Sequence, residues 1–201
     1  MTPGPAIPNR GADADNPPAE AASPRQPART EPHSSAIAPD RKPRRLAMLA
    51  TVTLPVVLLD QLTKSLIREN FSLDHTVALV PGWLDLTYTL NPGAAFSLFA
   101  TMPPLFRHLF FIILSFAAIV VLLSLLARRA TPLAAAVAYA LILGGTIGNL
   151  IDRLVFGRVI DFIYFHHAWF NYPVFNLADS AITTGVVVAI VFGLFGASDP
   201  R

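Results

Sequence analysis

The stretch ATPLAAAVAYALILGGTIGNLIDR, residues 130–153, carries no charge from Ala130 to Ile151 and then ends on Asp152-Arg153. A helix needs about 20 mainly apolar residues to cross a bilayer core of roughly 30 Å, so this run reads as a transmembrane helix. Two more runs, Leu109–Ala127 and Ser180–Ser198, are also uncharged. A fourth starts at Leu46, is free of charge to Leu59 and continues in a helical pattern through Asp60 and Lys64. It spans a bilayer if those two residues lie near its far end, at the interface.

The whole chain agrees with this reading. Of its 201 residues 53% are hydrophobic and 14% charged, where a soluble domain carries about 25% charged residues. The mean hydropathy is +0.52. A soluble globular protein and a wholly disordered chain are both excluded. No cysteine is present, so disulfides, thiolate nucleophiles and thiolate metal sites are absent. A net charge of +2 does not imply a nucleic-acid partner.

Residues 1–45 are rich in Pro, Ala and charge and lack aliphatic periodicity. Such a segment buries too little apolar surface to offset its ordering entropy and is expected to be a disordered tail. It is too long and too acidic for the n-region of a signal peptide. Residues 46–198 form the membrane domain. Arg41, Lys42, Arg44 and Arg45 precede the first run, and Arg128 and Arg129 separate the second from the third. With four spans these segments share one side, which the positive-inside rule makes the cytoplasm, with both termini.

Residues 70–104 and 152–176 then lie outside. Leu84, Leu86, Tyr88 and Leu90 alternate with Asp85, Thr87 and Thr89, the period of a half-buried strand, and Val77–Val80 before Pro81-Gly82 is its hairpin partner. Residues 162–175, FIYFHHAWFNYPVF, have the aromatic content of an interfacial segment and are placed to cover a site beneath them. The expected fold is an all-α membrane protein, a four-transmembrane-helix bundle with a small β-sheet and an interfacial segment on the outer face.

On this topology the polar residues converge. Asp60 and Lys64, then Asn149, Asp152 and Arg153, then Asn176 and Asp179 mark the outer ends of the first, third and fourth runs. Asn91 follows the strand and Asp161 stands in the second outer segment. Only the second run lacks such a mark, having Arg107 and His108. Ionisable residues in or beside spans are expensive and are functional candidates by default.

Each group also has a purely structural reading. Asp60, Lys64 and Arg68 share one helix face and suit an interfacial ion-pair stripe. Asp152 and Arg153 suit a helix-end salt bridge. Asn91 before Pro92-Gly93 suits a turn, and Asp179 suits a helix cap. His166 and His167 lack a second pair of metal ligands, and Ser97 lacks the Gly-x-Ser-x-Gly elbow of a serine nucleophile. Asp161, among apolar neighbours in VIDFI, is hardest to explain structurally. If Asp161, from a loop, approaches Asp179, from a helix start, the two share a proton; one then activates water while the other protonates or polarises the substrate.

Five blocks carry a resemblance. In order they are Asp60-Gln61-Leu62-Thr63-Lys64, Asn91-Pro92-Gly93-Ala94-Ala95-Phe96, Gly144 to Arg153, Val159-Ile160-Asp161-Phe162 and Phe175 to Ser180. With them, residues 46–196 resemble the lipoprotein signal peptidase (signal peptidase II) family. The resemblance implies an aspartic endopeptidase of the bacterial inner membrane, with its site at the periplasmic face and its catalytic pair on Asp161 and Asp179. It implies that Asn91, Gly93, Asn149, Arg153 and Asn176 line the site and that Asp60, Lys64 and Asp152 support it. The implied substrate is a prolipoprotein whose cysteine bears diacylglycerol, cut just before that cysteine and blocked by globomycin. No cofactor or metal is implied, the partners are that substrate and the bilayer, and a monomer suffices.

Two other classes fit the composition, a small membrane transporter and a non-catalytic scaffold. Transport calls for acidic residues distributed through the bilayer, and here they crowd at one end of the spans.

Overall fold

A computed structural model describes residues 47–93, 102–128 and 131–195. The described chain forms helix α1 (Leu49–Asn70), strands β1 (Thr76–Val80) and β2 (Leu84–Asn91), helices α2 (Pro104–Ala127) and α3 (Leu133–Phe156), strands β3 (Val159–His167) and β4 (Phe170–Asn171), and helix α4 (Leu177–Phe195). The tail 1–45, the basic residues 41–45, Arg129, Ser97 and the C-terminal residues 196–201 lie outside the described residues.

α1, α2 and α3 are long and apolar enough to cross a membrane; α4 is apolar over the shorter stretch Leu177–Gly193. α2 exposes Leu105, Phe106, Ile113, Leu114, Phe116, Val120 and Val121, as a lipid-facing helix does. α3 is the central helix, with Ala138, Leu143, Gly144, Gly145, Gly148 and Asn149 among its buried residues. Its small residues let neighbours approach backbone to backbone. Gly144 faces Val56 and Thr53 of α1, and Gly145 faces the Ala178 carbonyl and Ile182 of α4. From the other side Gly185 of α4 meets the Ala138 carbonyl. Thr53 Oγ1 donates to the Ala140 carbonyl at 3.0 Å, pinning α1 to α3.

α1 opens with a π-helical turn over Leu49–Thr53, closed by the Leu54 N–H on the Leu49 carbonyl. Pro55 follows directly; it has no N–H to give, and the wider turn accommodates its ring. α3 stops at Gly157, whose φ of 72° is left-handed and whose N–H closes on the Arg153 carbonyl. That cap sends the chain straight into β3, keeping Asp152, Arg153 and Asp161 close together.

The strands form one antiparallel sheet in the order β1-β2-β3-β4. The expected hairpin is present and turns at Gly82, with φ of 77°. The stretch expected as an interfacial segment, residues 162–175, carries most of β3 and all of β4, and Asp161 stands on a strand rather than in a loop. The Val159–Phe162 run is buried throughout, so it shows no apolar–polar alternation by which to recognise a strand. The body is mostly helical, as expected, but it carries a larger sheet than the one hairpin.

Between Leu86 and Thr89 the β2–β3 register shifts: Leu86 pairs with Ile163, but Thr89 pairs with Asp161. The extra β2 residue is a bulge, and a one-residue slip moves every later side chain to the other face. Asn91 is thereby put on the same face of the sheet as Asp161.

Candidate active site

α1 contributes a buried ion triad. Lys64 Nζ lies 2.8 Å from Asp60 Oδ2 and 2.8 Å from Asp152 Oδ2, and it donates to Asn149 Oδ1 at 3.0 Å. Asp60 Oδ1 accepts the Ala178 N–H of α4 at 2.9 Å, and Asp152 Oδ2 accepts the Ile160 N–H of β3 at 3.1 Å. The triad therefore ties α1, α3, α4 and β3 together around one lysine that both carboxyls share. Gln61 adds to it, its Nε2 within 3.0 Å of Asp152 Oδ1 and 3.1 Å of the Gly148 carbonyl. Gln61 lies inside the first sequence block, yet nothing in its spacing marked it as part of the site. Gly148 is bare because a side chain there would strike Asp60 Oδ2.

This arrangement corrects two structural readings. Asp60 and Lys64 leave the surface stripe and pack inward, while Arg68 stays exposed with its guanidinium carbon 5.0 Å from the centre of the Phe156 ring. Asp152 pairs with Lys64 across helices and forms no salt bridge with Arg153.

α4 begins with a reciprocal cap. Asn176 is the N-cap residue; its Oδ1 accepts the Asp179 N–H at 2.9 Å, and Asp179 Oδ2 accepts the Asn176 N–H at 3.3 Å. Asp179 is thus the third helical residue of a capping box, not the cap itself. The Asn176 amide is buried and donates to Asp161 Oδ1 at 2.6 Å, to Asn149 Oδ1 at 3.1 Å and to the Ile160 carbonyl at 3.2 Å. Asn149 donates from Nδ2 to Asp179 Oδ1 at 2.8 Å. Asn91 donates to Asp161 Oδ2 at 2.9 Å while its Oδ1 accepts the Gly93 N–H at 2.8 Å, so it makes the turn and also holds a carboxylate.

Asp161 and Asp179 are brought together through these amides and share no direct hydrogen bond. Their environments differ. Asp161 is 1% exposed, and burial pushes its carboxyl up to about 7. The Asp179 charge pushes the same way, against the hydrogen bonds from Asn91 and Asn176 and the Lys64 charge. Asp179 is half-buried and opens on a cavity of about 450 Å³. Phe165 of β3, Trp83 of the β1–β2 turn, and Tyr172 and Phe175 of the segment after β4 line it, with Thr183 and Thr184 from α4. His166 at its rim lies 2.9 Å from Asp85, and His167 stacks on Trp83 at 4.0 Å. Residues of the aromatic stretch border the cavity.

Arg153 Nη1 donates to the Asn149 carbonyl at 3.2 Å, and its guanidinium carbon lies 5.1 Å from the centre of the Phe111 ring. Phe111, on the helix without polar marks, had no signal in the sequence. Among the described residues no three His, Cys, Asp or Glu side chains are grouped to hold a metal ion.

Residues 52–195 match the family model of signal peptidase (SPase) II. The chain belongs to the signal peptidase II family. It is therefore a peptidase, and the matched span takes in every residue of the site. The chain is 39% identical over 153 residues to a lipoprotein signal peptidase of Desulforapulum autotrophicum, covering 76% of this chain and 94% of that protein. It is 42% identical over 137 residues to one of Syntrophus aciditrophicus, covering 68% and 85%. A third, of Burkholderia mallei, is 43% identical over 145 residues, covering 72% and 86%. A bacterial membrane enzyme solved by the in meso method at 2.3 Å resolution superposes with a TM-score of 0.69 at 29% identity, covering 78% of this chain and 93% of that one.

Proposed function

We propose that this signal peptidase II removes signal peptides from diacylglyceryl-modified prolipoproteins, cutting just before the lipidated cysteine. The observation that carries the reading is the pairing of a buried Asp161 with a cavity-facing Asp179, each held by asparagine amides that are bonded to one another. Asp179, ionised, takes a proton from a water molecule in the cavity. The hydroxide oxygen bonds to the carbonyl carbon of the residue before the cysteine, and protonated Asp161 donates to the carbonyl oxygen. As the tetrahedral intermediate collapses, the C–N bond breaks, Asp179 passes its proton to the cysteine nitrogen, and Asp161 takes back a proton from a hydroxyl of the intermediate as the new carbonyl forms. Each proton is accounted for by the two carboxyls, without cofactor or metal.

Arg153 has guanidinium N–H groups to spare for ester or peptide carbonyl oxygens of the substrate. The amides of Asn91, Asn149 and Asn176 hold the carboxyls, and Asp60, Lys64 and Asp152 hold the amides.

α4 serves as the fourth span: its 19 residues rise about 28 Å, close to the hydrocarbon thickness. Basic residues 41–45 and 128–129 put both termini in the cytoplasm of a bacterial inner membrane and the sheet on the periplasmic side. There the signal helix and acyl chains stay in lipid while the scissile bond meets water. Among the described residues one chain supplies both carboxyls and the amides that hold them, which supports a monomer as the working unit. The tail 1–45 lies before the catalytic domain 46–198 and outside the family match.

The test is Asp161→Asn and Asp179→Asn, each assayed on a diacylglyceryl precursor with and without globomycin. Both lose cleavage; normal turnover by either rejects the pair.

A further inference from the structure

We infer that Phe111 is a positioning residue for Arg153, and that its ring, together with a left-handed backbone, reserves position 93 for glycine. The inference rests on the reading of Arg153 as a substrate-binding residue.

Two observations converge on the same ring. First, the Arg153 guanidinium carbon stands 5.1 Å from its centre, within the range of cation–π attraction. Among the described residues the hydrogen bond of Arg153 goes to the Asn149 carbonyl, one turn back on its own helix, at 3.2 Å. That bond anchors one end of the planar group, and the charges of Asp179, Asp161 and Asp152 attract it without fixing its plane. The ring, presented from α2, supplies a second point of attachment and leaves the remaining N–H donors available for carbonyl oxygens.

Second, Gly93 has φ of 92°, and a Cβ built there would fall onto Phe111 Cδ2 and Cε2. Gly93 is in turn held by Asn91, the same residue that donates to Asp161. The ring therefore borders both the turn that follows Asn91 and the guanidinium of Arg153. It gives α2 a part in the site through an aromatic face.

The experiment compares Phe111→Leu and Phe111→Tyr on a diacylglyceryl precursor, alone and with Arg153→Gln. Leucine keeps apolar bulk and lacks the ring quadrupole; it should raise KM about 5- to 30-fold with kcat within twofold. Tyrosine keeps the quadrupole and should hold KM near the unsubstituted value. On the Arg153→Gln background, Phe111→Leu should add nothing. A Leu variant with unchanged KM, a Tyr variant as impaired as Leu, or a Leu effect that persists beside Arg153→Gln would each overturn the inference. If Arg153→Gln itself leaves KM unchanged, the substrate-binding reading falls too; an Arg153 effect without a Phe111 effect sinks this inference alone.

Discussion

Asn149 points its amide nitrogen at Asp179, 2.8 Å from Oδ1, while its amide oxygen accepts Lys64 at 3.0 Å and Asn176 at 3.1 Å. Two donors on the oxygen side leave the amide one orientation, and in it the NH₂ faces the carboxylate. A donor so fixed holds the Asp179 carboxyl in one orientation at the edge of the cavity. Lys64, which does not border the cavity, thus acts on Asp179 through one intervening side chain.

Asn149→Leu should accordingly lower kcat on a diacylglyceryl precursor about 10- to 100-fold, since a hydrogen bond to a charged group contributes about 1.5–3 kcal/mol. Turnover at saturating precursor checks this, and a loss under twofold would show that the amide does not matter to the base.

The pH dependence follows from Asp161. Its carboxyl is raised from 3.8 to about 7, and as the acid it works protonated, so kcat/KM should fall as pH climbs past about 7. The Asn91 bond opposes the rise by favouring the ionised form. Asn91→Ala removes that bond, so the alkaline limb should move to higher pH while the rate below it changes less. A limb that stays put or moves toward acid contradicts the assignment of Asp161 as the acid. The same shift affects stability. Between pH 3.8 and about 7 the folded protein holds a proton that the unfolded chain releases, so this contribution is full below 3.8 and is lost as pH rises through 7.

The residues of the site were legible in the sequence because charge is rare in an apolar chain. Asp60, Lys64, Asp152, Asp161 and Asp179 each interrupt or border an uncharged run, and all five meet here. Their pairings were not legible. Asp152 was adjacent to Arg153 in sequence and bonds instead to a lysine on another helix, because a helix points neighbouring side chains in different directions. Asn91 reached Asp161 only through a register shift in β2, and no composition or periodicity announces a bulge. β3 was missed because strands buried on both faces lose the period of two. Phe111 was one phenylalanine among many in a lipid-facing helix; only the position of Arg153 singles it out. The Ala178 and Ile160 N–H groups that hold Asp60 and Asp152 belong to the backbone and leave no mark on residue type at all.

Lys64 is the charge between Asp60 and Asp152, and all three are fully buried. Lys64→Met would leave two carboxylates facing each other without a cation, a loss of about 3–5 kcal/mol for a broken buried pair. The thermal midpoint in detergent should fall accordingly. Lys64→Arg should not restore it, because the longer planar group has no room among Asp60, Asn149 and Asp152. A midpoint within a degree or two of the unsubstituted protein would mean that the carboxyls are protonated and the triad is not ionic.

Two glycines of similar appearance should separate packing from backbone strain. A Cβ on Gly145 falls on the Ala178 carbonyl, and backbone there cannot yield without moving α4 off α3. The Asn149–Asp179 and Asn176–Asn149 bonds cross the same seam. Gly145→Ala should therefore cost about 1–3 kcal/mol as overpacking and abolish most turnover even where the protein stays folded. Gly157, by contrast, has open space around its Cβ position, and its φ of 72° is its one demand. Gly157→Ala should cost about 1–2 kcal/mol for the left-handed conformation and leave turnover nearly intact well below the midpoint. Thermal midpoints and kcat of the two variants, measured side by side, decide it. Equal loss of turnover in both would mean that α3–α4 spacing is not what aligns Asn149 with Asp179.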